Sequence, residues 1–316
     1  MFTNKSYVLE VLKEKSFSKA AKNLYISQPS LSASIKRIEA KIGAPIFDRS
    51  TTPVSLTEIG QKYIDKALDI QKIEDEFTSY LNDELSIIKG DVKIGGSNLF
   101  SSYILPPMIA EFNKHYPATN FIMYEDKTQA LVSRLADGEI DLFIDNVVET
   151  TENLTAHFYM TETILLAVPK SFRINERLTD FALSYEDIKQ NLHAAPDFPS
   201  VSPALFKKEP FIFLKSANDT GKKARLLCKK YGITPRVIFE TDQQVTAYNI
   251  TSSGMGICFV SDTLIKKTRE RIDVVYYKLG DPEAHRNICF YTKSNRYLSN
   301  ACRKFIEMNT VGKDIN

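Results

Sequence analysis

The spacing of apolar and polar positions divides the chain into three stretches. Near the start, Tyr7, Val8, Val11 and Leu12 recur at helical spacing, which predicts a helix over about 4–15. A second short helix carries Ala20, Ala21 and Leu24, with Ser18 as its expected cap. Tyr25-Ile26-Ser27 then turns the chain. Ser27 is placed to cap a third helix, and Pro29 fits its first turn, where no backbone donor is missed. In that helix Leu31, Ile35, Ile38 and Ile42 share one face. Pro29, Ala33, Lys36 and Ala40 lie opposite, flanked by Ser30 and Arg37 on one side and Ser32 on the other. After Gly43, the turn-rich stretch 44–57 reads as a hairpin wing with Arg49 at its tip.

The second stretch is one long amphipathic repeat. Ile59, Tyr63, Ile70, Ile73, Phe77, Leu81 and Ile88 recur at three- and four-residue steps or their sums, and Thr57 can cap the start. The pattern predicts a helix from 58 to about 88, roughly 45 Å long at about 1.5 Å per residue. So long a stripe cannot be buried on the small head alone. A partner helix from a second subunit is the natural cover, and packing on the body is the alternative.

From Asp91 the pattern switches to short apolar runs alternating with helices. Strands are expected at 91–96, 121–124, 140–144, 164–168, 211–214 and 236–239, at 257–260 after Gly254 and Gly256, and in the last stretch, 287–309, which also holds a helix. Such alternation implies an α/β body with a parallel sheet covered on both faces. The chain is expected to cross between two lobes near 164–168 and again near 262–268.

Length and composition agree with a modular globular chain. Its 316 residues exceed one ordinary core, and 43% hydrophobic with 25% charged residues excludes a disordered or fibrous chain. The net charge of +2 conceals an asymmetry. Residues 1–57 hold nine basic and four acidic side chains, a net +5; residues 58–90 hold four and eight, a net −4. A small basic head suits a polyanion. No apolar run long enough for a membrane helix occurs, and the N-terminus lacks a secretion signal, so no membrane partner and a cytoplasmic location are expected. Cys228, Cys258, Cys289 and Cys302 form no C-x-x-C pair, and the histidines are scattered, so neither a disulfide scaffold nor a metal site is expected. No G-x-S-x-G, P-loop or H-E-x-x-H motif is present, which argues against an enzyme, and no cofactor is expected.

The head carries the most specific chemistry. A small, polar helix face can sit deep in a major groove. Gln28 can pair with an adenine edge, the Ser30 and Ser32 hydroxyls can reach bases or phosphates, Ala33 can touch a thymine methyl, and Lys36 and Arg37 can hold phosphate. Arg49 can meet phosphate or a minor groove.

Ser16-Phe17-Ser18-x-Ala20-Ala21-x-x-Leu24, Ser27-Gln28-Pro29-Ser30-Leu31-Ser32, Ile35-Lys36-x-Ile38-Glu39-x-x-Ile42-Gly43, Phe47-x-Arg49 and Leu56-Thr57-x-x-Gly60 follow one another without a gap. This ordered series resembles the LysR-type transcriptional regulators. Weaker matches continue it into the body, at Leu135-x-x-Gly138-x-Ile140-Asp141-Leu142 and Gly254-x-Gly256-Ile257. The resemblance implies a winged helix-turn-helix head over 1–58 and a linker and dimerisation helix over 59–89. It also implies a two-lobed α/β effector domain built like solute-binding proteins, with lobe 1 at 90–165 and 268–316 and lobe 2 at 166–267. It places Gln28, Pro29, Ser32, Ala33, Lys36 and Arg49 at or near double-stranded promoter DNA, and Ala33 departs from the longer polar residue often found there. It further implies dimers and commonly tetramers, with RNA polymerase left open as a further partner.

Ligands of such sheets bind beyond the C-terminal ends of the strands. That places Ser97 and Asn98 after Gly95-Gly96, Thr128 after the second strand, and Asn218, Thr220 and Gln243 on the turns of the second lobe. These residues suit a small carboxylate or an amino-acid-like metabolite. Ser97 is alternatively only a helix cap, and Asp219 and Asp242 leave the ligand's charge open. The segment 191–209 is an insertion relative to the family's pattern; it either lines the pocket, with Ser200, or decorates the surface. A solute-binding protein without DNA function is the competing reading, but it would not carry the head and the long helix.

Overall fold

The structure is a computed structural model describing residues 1–51, 53–84, 88–146, 153–294 and 296–310. It divides into two compact units, 1–81 and 82–316.

In the first unit, α1 (Lys5–Glu14), α2 (Phe17–Asn23) and α3 (Gln28–Ile42) are followed by a two-stranded wing, β1 (Phe47–Asp48) and β2 (Ser55–Leu56), and by α4 (Glu58–Glu84). Val8, Val11, Ala20, Ala21, Leu31, Ile35 and Ile38 meet in one core, which the wing residues Ile46 and Phe47 and the first turns of α4 complete. Ser27 caps α3, its hydroxyl accepting from the Ser30 N–H at 3.3 Å. The cap of α2 is Ser16 rather than Ser18, because Lys15 adopts a left-handed conformation that ends α1 and starts the next helix two residues earlier. Thr57 caps α4 through the Gly60 N–H at 2.9 Å. On α4, Tyr63, Ile64 and Ala67 are buried in the head, whereas Ile73, Phe77, Tyr80 and Leu81 are exposed. The helix ends at Glu84; the expected continuation to 88 crosses 85–87, which lie outside the described residues.

The second unit is a mixed α/β body. Its elements in chain order are β3 (Gly90–Gly96), α5 (Asn98–Tyr103), α6 (Leu105–His115), β4 (Thr119–Glu125), α7 (Thr128–Ala136), β5 (Leu142–Asn146), β6 (Leu154–Pro169), β7 (Ala182–Leu183), α8 (Tyr185–Lys189), β8 (Pro210–Leu214), α9 (Asp219–Lys230), β9 (Arg236–Thr241), α10 (Gln244–Ser252), β10 (Ile257–Ser261), α11 (Asp262–Lys267), β11 (Val274–Lys278), β12 (His285–Lys293) and α12 (Asn300–Thr310). The strand order is β4-β3-β5-β12-β6-β10-β8-β9, with β11 also on β6 and β7 on β11. β3, β4 and β5 are parallel, as are β8, β9 and β10, but β12, β6 and β11 join antiparallel.

β6 is three times longer than a local strand needs to be because it serves both lobes. Leu154–Thr163 pairs with β12, and Ile164–Pro169 pairs with β10 and β11. The return does not fall near 262–268. β11 still pairs within the second lobe, so the chain crosses back between Leu279 and His285. The lobes have separate cores, one around Phe112, Phe290 and Phe305, the other around Phe211, Phe213 and Phe259.

The inserted segment is structural. Val201 bridges Leu279, Phe206 is fully buried against Tyr277, and His193 is buried with its Nε2 at 2.9 Å from Asp262 Oδ2. Burial raises the Asp262 pKa, but His193 and Lys266 outweigh it and hold the carboxyl below its ordinary range.

Candidate effector cleft and nucleic-acid face

A cavity of about 210 Å³ opens where the C-terminal ends of the strands from both lobes of the body meet. Ser97 and Asn98 follow β3, Glu125 ends β4 and Asp126 to Thr128 follow it, and Asp145 and Asn146 end β5. Lys215 and Ala217 to Thr220 follow β8, Asp242 to Val245 follow β9, and Arg286 reaches in from β12. Six sequence-predicted residues are thus brought together: Ser97, Asn98, Thr128, Asn218, Thr220 and Gln243.

Ser200 does not join them. It lies against Gly280, where a Cβ on the glycine would stand 2.5 Å from the Ser200 hydroxyl, and the inserted segment packs on β11 instead of covering the cavity. Gly95 and Gly96 are buried and expose no backbone to a ligand. A Cβ on Gly95 would meet Leu131 at 2.7 Å, so the glycine lets α7 pack on β3. Gly221 has a direct bearing on the site: a Cβ there would stand 2.5 Å from the Leu214 and Lys215 carbonyls. Its absence lets the first turn of α9 close on the end of β8 and carries Asp219 and Thr220 into the cleft.

The wall is polar and largely self-satisfied. Asn98 Nδ2 donates to Glu125 Oε1 at 3.0 Å, and Thr128 Oγ1 donates to Asp145 Oδ2 at 2.7 Å. Asn218 caps α9, its side chain accepting from the Thr220 N–H at 2.9 Å. The Ser97 hydroxyl makes no capping bond to α5 and stays half-buried at the cavity. Thr220 Oγ1 accepts from Gln244 Nε2 at 2.7 Å and Arg286 Nη1 at 2.9 Å. Lys215 Nζ pairs with Asp242 at 2.7 Å.

Two groups that sequence reasoning missed organise the floor. Arg286 is buried and donates to Glu162 through Nε at 2.6 Å and to Asp219 through Nη1 at 2.6 Å. Burial alone would lower the guanidinium pKa, but Glu162 and Asp219 hold it above its ordinary value. Asp145 is 2% exposed, and burial pushes its carboxyl up to about 6 despite hydrogen bonds from Thr128 and the Asn146 N–H. Asp145 ends an apolar strand just after Leu142-Phe143-Ile144, and that position was the available signal.

In the head, Gln28, Pro29, Ser30, Ala33, Lys36 and Arg37 are exposed on α3, and Ser32 is half-buried. Arg49 is fixed rather than loose. Nη1 donates to Ser32 Oγ at 3.1 Å, Nη2 pairs with Glu39 at 3.1 Å, and the guanidinium lies 4.8 Å over the Phe17 ring. The wing is thereby locked beside the helix face. Tyr25, also missed, is 97% exposed in the turn before α3 at φ +54°.

Family models match both parts. Residues 4–61 match the bacterial regulatory helix-turn-helix protein, lysR family, and residues 88–310 match the LysR substrate binding domain. The chain belongs to the LysR family of transcriptional regulators. Among relatives, it is 29% identical to an uncharacterized HTH-type transcriptional regulator, YcgK, of Bacillus subtilis strain 168, over 96% of this chain and 91% of that one. It is 26% identical to a probable RuBisCO transcriptional regulator of Trieres chinensis, over 92% and 90%. Among solved structures, a full-length OxyR variant from Pseudomonas aeruginosa matches with TM-score 0.67 at 17% identity, covering 98% of each chain. Full-length CbnR in complex with its target DNA matches with TM-score 0.62 at 16% identity, again over 98% of each. These likenesses show the LysR fold: a helix-turn-helix domain followed by an α/β substrate-binding domain. Among the described residues, no helix is long and apolar enough to cross a membrane, and no group of three or more metal-ligating side chains gathers.

Proposed function

We propose that this LysR-type regulator binds a dyad-containing promoter site through α3 and the wing, and that a small metabolite held in the cleft modulates that binding. Gln28, Pro29, Ser30, Ser32, Ala33, Lys36, Arg37 and Arg49 form the DNA-facing set. Ser97, Asn98, Thr128, Asn218, Thr220 and Gln243 form the effector set, and Ser200 is set aside. The carrying observation is the cavity itself, lined by polar side chains from both lobes at the ends of their parallel strands. Its 210 Å³ is below the roughly 300–1,000 Å³ of a drug-sized pocket. That size favours a small carboxylate or an amino-acid-like metabolite.

The exposed stripe on α4 supports self-association, with two heads then meeting two half-sites. Ligand closure of the lobes would act by favouring one subunit arrangement over another. The working division is a head at 1–58, a linker helix at 59–89, and two lobes that exchange chain at β6 and before β12. A thermal-shift screen of metabolites on the full chain tests the cleft. Stabilisation that is lost on Thr220→Val and Ser97→Ala supports it, and stabilisation that survives both contradicts it.

A further inference from the structure

We propose that the molecule recognised in the cleft carries an ammonium group, seated on Asp145 with Asn146 beside it. The inference rests on the cleft being the effector site and adds which charge that effector must bring.

Among the described residues, the cavity wall holds five carboxylates, Glu125, Asp126, Asp145, Asp219 and Asp242, against three cations, Lys127, Lys215 and Arg286. Two of the three cations are already engaged. Arg286 is shared between Glu162 and Asp219, and Lys215 is held by Asp242. On the acidic side, Asp126 pairs with Arg134, and Glu125 accepts from Asn98. Asp145 differs from all of them. It is almost fully buried, and among the described residues its partners are a hydroxyl and a backbone N–H, with no cation bonded to it. Arg286 and Asp219 act on it only through space, with opposite signs. Beside it, the buried Asn146 Oδ1 has no hydrogen-bond partner among the described residues.

The floor is therefore a surplus of acceptors around one unpaired buried carboxylate. A group that matches it must supply several donors and a positive charge. An ammonium has three donors and no acceptor. A carboxylate placed there would bring like charges together, and a hydroxyl would leave the buried charge uncompensated. Lys127, at the rim without an ion pair among the described residues, can take a carboxylate at the other end of the same molecule. The recognised class is then an amino acid or a small amine, not a simple acid.

The test uses the full chain and matched pairs differing by the amino group: L-glutamate against glutarate, L-phenylalanine against hydrocinnamate, L-alanine against propionate, and the corresponding primary amines. Calorimetry or thermal shift reads the affinity. At least one amine-bearing member is expected to bind, with its deaminated partner weaker by roughly tenfold or more. Asp145→Asn is expected to remove that difference. In the wild type, affinity for the amine-bearing ligand is expected to fall as the pH is lowered through about 6, where Asp145 takes up its proton. Deaminated acids binding as tightly as their partners, or a flat pH profile, would overturn the inference while leaving the cleft as a site. Absence of binding across both sets would overturn the cleft reading and this inference with it.

Discussion

Arg286 Nη1 donates to Asp219 at 2.6 Å, joining the strand that returns to the first lobe to the first turn of a second-lobe helix. The same guanidinium is bound to Glu162, on the strand shared by both lobes. Glu162 is fully buried, and its Oε1 has no partner, so Arg286 alone neutralises it among the described residues. Arg286→Met leaves that charge buried and uncompensated, and is expected to cost about 3–5 kcal/mol in urea denaturation. Adding Glu162→Met should recover most of the loss. A single-variant cost below about 1 kcal/mol would remove Arg286 from its structural role.

Asp145 gives a pH signature. Its folded pKa, about 6, is raised above the 3.8 of the free side chain. Its proton is therefore bound more tightly in the folded chain, and the corresponding stability is present in acid and lost as pH rises through about 6. The difference is about 3 kcal/mol at neutral pH. Asp145→Asn keeps an acceptor for the Asn146 N–H and escapes the penalty. Relative to wild type, the variant should gain stability between pH 4 and pH 7 and then hold a constant advantage. A difference that does not vary over that range would show that the carboxyl titrates normally.

The four cysteines are all buried, and burial pushes every thiol up, Cys228 to about 11 and Cys258 to about 12. Thiolate is the reactive form, so these groups should be inert. Ellman's reagent is expected to react slowly with the folded protein and with four thiols after denaturation. Rapid modification of two thiols in the folded chain would instead favour redox sensing.

On α4, Phe77 is 62% and Ile73 65% exposed. Phe77→Glu should lower the oligomeric state seen by sedimentation and weaken DNA binding with it. An unchanged mass would remove this face from the proposed interface.

The head was legible because its signals are local. Ser27, Pro29 and the Leu31-Ile35-Ile38 stripe mark α3 within a few residues of chain, and Thr57 marks the start of α4. The strand ends that build the cleft were legible for the same reason. What escaped depends on contacts distant in sequence. Arg286 is 124 residues from Glu162 and 67 from Asp219, and neither local spacing nor composition joins them. The role of 191–209 was hidden likewise, since Val201 and His193 are buried by β11 and α11, which come much later. Ser18 is the expected cap of α2, but Ser16 caps it, a shift set by the left-handed Lys15, which local composition does not reveal.

Arg49, held to Ser32 and Glu39, presents the wing at a fixed place beside α3. Arg49→Ala should weaken promoter binding and release the wing. Lys36→Ala should weaken it across sequences and reduce the salt slope by about one.

As proposed above, one chain reads DNA with its head and answers to a ligand in its cleft. Footprinting of the full-length protein on the DNA upstream of its own and neighbouring genes tests this directly, across a salt series and with and without a ligand that stabilises the protein. Protection of a dyad, weakened by salt, and a changed footprint or affinity when the ligand is added are expected. Binding that is sequence-independent, persists only at low salt and ignores the ligand would contradict it.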